Sequence, residues 1–154
     1  MAEIDGTSGP DTLNGTSADD TINGLGDNDT LNGDSGNDTL DGGAGVDQLF
    51  AGDGNDTLII ANTPTSGEIF DGGNDTDTLL VQPTAGVLLN LAAGSTTAVG
   101  LGAVTLTSIE RLQFGSTAGS GLFASLQVAL LASSGITELV GGDGRDSLNI
   151  IAAT

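Results

Sequence analysis

From Gly6 to Ile59 one large aliphatic residue recurs at every ninth position: Leu13, Ile22, Leu31, Leu40, Leu49 and Leu58. A helix face needs apolar residues three or four apart, and an ordinary half-buried strand needs them two apart. One in nine fits neither. It suits a three-residue strand with a buried centre and six turn residues, each unit stacked on neighbours that bury what it cannot bury alone. Two units make one circuit with a short strand on each side, so unit n stacks on unit n+2. The polar positions keep the same phase, because the sixth place is always aspartate: Asp11, Asp20, Asp29, Asp38, Asp47 and Asp56. Glycine favours the first and fourth places, where a turn needs positive φ.

Beyond Ile59 the period is interrupted. Residues 60–71 (IANTPTSGEIFD) read as an exposed loop or a bulging strand, after which Gly72–Leu80 restores the unit with Asp77 at its sixth place. Residues 81–154 then form an apolar, glycine-rich continuation. Strands are expected around Val87–Leu91, Val104–Thr107 and Ile109–Phe114. Residues 120–133 (SGLFASLQVALLAS) place Leu122, Phe123, Leu126, Ala129 and Leu130 on one helical face behind Ser120 as N-cap, which predicts a short capping helix. A last unit at 141–149 carries Asp146. The expected organisation is a repeat block over 1–80 and a β-rich continuation over 81–154, together one structural unit. The fold class is all-β: a parallel β-roll continuing into a flatter β-solenoid.

Charge sharpens the chemistry. The chain carries 21 acidic and 2 basic residues, a formal charge of −19 over 154 residues. Fifteen of its 17 aspartates precede Thr78. Stacked strands sit about 4.8 Å apart, so the sixth-place aspartates fall into two columns whose charges repel without a cation between them. Carboxylate plus carbonyl oxygens in a six- to eight-fold cage suits Ca²⁺, whereas Mg²⁺ requires a tighter octahedron. The chain has no His and no Cys, so zinc and copper lose their usual ligands. Three turns per side, with an ion between successive turns, predict about four well-formed sites. The fourth-place glycines Gly36, Gly45 and Gly54 mark the best of these, around Asp38, Asp47 and Asp56; Ala18 and Asp27 replace that glycine earlier, and Pro10 suits a terminal cap.

The eight units, GTSGPDTLN through GGDGRDSLN, resemble the RTX (repeats-in-toxin) family, whose consensus is GGxGxDxUx with U a large apolar residue. They cover 72 residues (eight copies of nine). The resemblance implies a right-handed β-roll with Ca²⁺ in its turns. It also implies export by a type I secretion apparatus and a place outside the cell or on a bacterial surface. The segments Val87–Gly94 and Leu106–Leu112 resemble spacers found among such repeats. Met1-Ala2-Glu3 reads as a start on an excised segment.

Several functions find no support in the residues. Without His, Cys, Tyr or Lys the common catalytic bases and nucleophiles are missing, so no enzyme is expected. So acidic a surface suits neither nucleic acid nor anionic membrane, and no segment reads as membrane-inserting. The alternative function is a calcium-dependent adhesin or surface-layer module, which self-associates or meets glycan through outward threonines and asparagines at places seven and nine. Polar β-formers on an exposed strand account for those same residues.

Overall fold

The computed structural model describes residues 1–60, 67–82, 105–114, 123–127, 137–140 and 147–151. Its strands are β1 (Glu3–Asp5), β2 (Thr12–Asn14), β3 (Thr21–Asn23), β4 (Thr30–Ser35), β5 (Thr39–Asp41), β6 (Gln48–Asp53) and β7 (Thr57–Ile60). They continue as β8 (Ile69–Asn74), β9 (Thr78–Val81), β10 (Thr105–Thr107), β11 (Arg111–Phe114), β12 (Phe123–Gln127), β13 (Glu138–Val140) and β14 (Ser147–Ile151). Odd strands β1 to β13 form a seven-stranded sheet, and even strands β2 to β10 a five-stranded one. Every pairing is parallel and each strand pairs with the next but one, which is the pattern of a β-solenoid.

The nine-residue period sets the register. Ile22 lies beside Ile4 and Leu40, and Leu40 beside Leu58; on the other sheet Leu31 lies between Leu13 and Leu49. These eighth-place side chains form the core: Ile22, Leu31, Leu40, Leu49 and Leu58 are fully buried, and Leu79 and Leu112 extend the column. Each contributes about 1.5–3 kcal/mol by leaving water. In β3 and β5 the flanking seventh- and ninth-place residues are half exposed, as their phase requires. β1 adds a unit before the first sequence repeat, with Ile4 packed against the core.

The interruption after Ile59 is shorter than its sequence suggests. Ile60 belongs to β7, and Ile69, Phe70 and Asp71 belong to β8, so these four are strand residues and not loop. Phe70 pairs with Leu49, 21 residues earlier instead of the usual 18, and is buried in the same column. A three-residue insertion on one edge leaves the sheets in register.

The helix expected over 120–133 is overturned. Phe123–Gln127 form β12, paired in parallel with Ser147–Ile151 from the last unit. A backbone ladder with a remote segment competes successfully with local helical periodicity, which carries no information about such a partner. No helix occurs among the described residues. The expected strand at Val87–Leu91 lies outside them, whereas those near Val104 and Ile109 are realised as β10 and β11.

Candidate metal-binding turns

The turns between strands fall on two edges of the solenoid. One edge carries Asp11, Asp29 and Asp47; the other carries Asp20, Asp38, Asp56 and Asp77. Each aspartate is tied to the next circuit in two ways. Its own N–H donates to the next carboxylate, as from Asp20 to Asp38 Oδ1 (2.8 Å), Asp38 to Asp56 Oδ1 (2.7 Å), Asp29 to Asp47 Oδ1 (2.9 Å) and Asp56 to Asp77 Oδ1 (2.9 Å). Its carbonyl accepts the seventh-place N–H above, as Asp38 does from Thr57 (2.8 Å). Oδ1 of Asp29, Asp38, Asp47, Asp56 and Asp77 is thus committed to holding the stack together.

Oδ2 of Asp29, Asp38, Asp56 and Asp77 is buried without a hydrogen-bond partner. A buried charged oxygen left unpaired costs on the order of 1–3 kcal/mol or more. Such an atom, set against the first-place glycine of its turn at Asp29, Asp38 and Asp77, suits a hard cation. Among the described residues no three acidic or other metal-binding side chains converge on one point. Carbonyl oxygens must therefore complete any shell, which favours Ca²⁺ over a metal demanding side-chain donors.

The backbone supports this donor set. In every described turn from Gly24 onward that keeps the six-residue form, the second and fourth places are left-handed: Leu25 and Asp27, Asp34 and Gly36, Gly43 and Gly45, Gly52 and Gly54, Gly73 and Asp75. Even Leu25, at φ 78°, adopts a conformation that bulky residues avoid. At Gly54 (φ 133°) a side chain would also strike the Gly36 carbonyl of the circuit below. The carbonyls of places two and four thus point along the stack at the next turn, and Gly36, Gly45 and Gly54 belong to the turns as main chain.

Burial leaves its mark on acidity. Desolvation raises the carboxyls of Asp29, Asp47 and Asp56 above their ordinary value, and pushes Asp38 and Asp77 up to about 6. Asp20 is the opposite: the Thr16 hydroxyl first, then the Ala2 N–H, hold it below the usual range. Carboxyls whose pKa is raised on folding retain protons that the unfolded chain has lost. They stabilise the metal-free fold below about pH 4, and that contribution is lost as pH rises through about 6. In chelator, strand content should accordingly be higher at pH 4.5 than at pH 7.5, by circular dichroism. Equal content at both would contradict it.

Two further acidic residues take sixth places that the repeat word does not reveal. Glu68 precedes Ile69 and Phe70 at the position of Asp47 one circuit earlier, and it is buried. Glu110 precedes Arg111, which pairs with Thr78, and its Oε2 accepts the Asp77 N–H at 2.9 Å. The signal was present as Glu-x-large apolar (Glu68-Ile69-Phe70 and Glu110-Arg111-Leu112), with glutamate in place of aspartate. Above Asp77 the turn shrinks to Ser108-Ile109-Glu110, and Ile109 is fully buried in the core. Asp146 lies outside the described residues.

Residues 5–40 and 24–58 match the family model described as RTX calcium-binding nonapeptide repeat (4 copies). No curated protein matches the chain. With sixth-place carboxylates stacked at one register, apolar eighth places forming the core and left-handed turns between them, residues 5–58 are a run of RTX calcium-binding nonapeptide repeats.

Proposed function

We propose that this chain is a calcium-binding β-roll module of a secreted or cell-surface bacterial protein, folding on Ca²⁺ outside the cell after type I export. The observation that carries the calcium reading is the row of buried, unpartnered Oδ2 atoms at Asp29, Asp38, Asp56 and Asp77. Asp47 stands in the same column as Asp29, with its Oδ2 lying 2.5 Å from where a side chain at Gly42 would begin. The ions supply the positive charge and multidentate oxygen coordination that the chain lacks; the residues supply one carboxylate oxygen per turn and the second- and fourth-place carbonyls. Scarce cytosolic Ca²⁺ would leave weak sites empty during export, and abundant external Ca²⁺ would fill them. No helix among the described residues is long and apolar enough to cross a membrane.

The surface favours scaffold over recognition. Ninth-place amides bond along the sheets, Asn32 Nδ2 to Asn14 Oδ1 (3.0 Å) and Asn23 Nδ2 to Asp5 Oδ1 (2.7 Å). Groups so committed are less available to a glycan. Native mass spectrometry in millimolar Ca²⁺ should find about four ions per chain, as ions between successive turns require. A chain that remains metal-free at that concentration would overturn the proposal.

A further inference from the structure

The turns divide into two kinds, and the division does not follow burial. Asp20 and Asp38 occupy the same edge, 2% and 1% exposed. Yet Asp38 Oδ2 has no partner, while Asp20 Oδ2 has two: the Thr16 N–H at 2.7 Å and the Thr16 hydroxyl at 2.7 Å. Asp11 repeats the arrangement on the other edge, its Oδ2 accepting from the Thr7 N–H at 2.6 Å and the Thr7 hydroxyl at 2.9 Å. In both turns the hydroxyl also accepts the fourth-place N–H, from Gly9 at 3.2 Å and Ala18 at 3.3 Å.

The backbone differs in step. Thr7, Gly9, Thr16 and Ala18 are absent from the left-handed residues, although the corresponding places in every later six-residue turn described are left-handed. The threonine side chain therefore does locally what an ion would do between turns. It links the sixth-place carboxylate to the fourth-place main chain and closes the loop. The fifth places agree. The fifth-place N–H groups of Asn37, Val46, Asn55 and Thr76 bond to the side chain one circuit below, as Asn55 does to Asn37 Oδ1 at 2.8 Å, whereas Asn28, above Pro10, donates to Asp27 Oδ1 of its own turn at 2.9 Å. Pro10 has no N–H to offer, and among the described residues no turn is stacked beneath it.

We propose that Thr7 and Thr16 take the place of calcium in the first circuit, making it a metal-free cap on which the ion ladder is built. The ladder then begins at Asp29 on one edge and Asp38 on the other, one circuit later than the aspartate repeat alone implies. Asp11 and Asp20 serve as hydrogen-bond acceptors that hold their turns, not as ligands. This rests on the calcium reading above.

The test is the number of ions held by the full chain, by native mass spectrometry and calorimetry in Ca²⁺. D38N should hold one ion fewer than the parent chain, and D20N and D11N should hold the same number as the parent. Loss of an ion in D20N or D11N would overturn the cap. Should either asparagine chain fail to fold in Ca²⁺ by circular dichroism, T7G/T16G decides the matter. It keeps both carboxylates and frees their Oδ2 atoms, so its ion count should exceed the parent's; an unchanged or lower count rejects the proposal. A parent chain that binds no Ca²⁺ at all would instead reject the calcium reading itself.

Discussion

Held in chelator at neutral pH, residues 6–80 should lose most of their strand circular dichroism, and millimolar Ca²⁺ should restore it. The structure places Asp29, Asp38, Asp47, Asp56 and Asp77 almost wholly out of water, in two columns, on a chain of formal charge −19. Four of them carry a buried Oδ2 with no partner. At about 1–3 kcal/mol or more for each unsatisfied buried group, those atoms alone offset a large part of the 5–15 kcal/mol by which a domain is typically stable. A ligand that binds only the folded chain reverses the balance, contributing about 4 kcal/mol per site at a thousand times its dissociation constant. Several filled sites would therefore turn an unstable stack into a stable one. Identical spectra with chelator and with Ca²⁺ would mean that the apolar core suffices alone.

The second large effect lies in that core. With Ca²⁺ saturating, Leu58→Ala should lower stability by about 2–5 kcal/mol, the range for emptying a packed aliphatic site. Leu58 is 0% exposed and stacks between Leu40 and Leu79. Leu13→Ala should cost well under half as much. Leu13 begins its sheet, with Leu31 on one side only, and is partly exposed. Urea melts of the two chains in Ca²⁺ would separate them; equal losses would show that the eighth-place column is not graded by its neighbours. In a stack where each circuit touches only adjacent ones, the middle has two interfaces to lose and the end has one.

Much of this is legible in the sequence alone. A period of nine with one aliphatic and one aspartate per unit specifies both sheet register and carboxylate columns, because stacking identical units aligns identical places. The columns are realised from Asp11 to Asp77. Glu68 and Glu110 are hidden in the sequence because they stand where the nine-residue word has aspartate, and because the register there shifts from 18 residues to 21 and then to 33. The longer glutamate at 110 reaches the Asp77 N–H across a shortened turn. Phe70 escaped likewise, since neighbours in sequence gave no hint that it would sit on Leu49. At 120–133 the local pattern pointed to a helix, whereas a strand partner in the last unit was invisible to it.

The sequence by itself determined which residues repeat, and therefore the parallel stack, its core and its acidic edges. Those are local, periodic facts, and stacking translates them directly into three dimensions. Only the tertiary structure decided how each turn is satisfied. Thr16 and Asp34 hold the same place in successive turns on one edge, yet one closes on its aspartate and the other turns left-handed and leaves Asp38 Oδ2 bare. That distinction depends on backbone conformation and on what lies one circuit above and below, and neither is written in the nine-residue word.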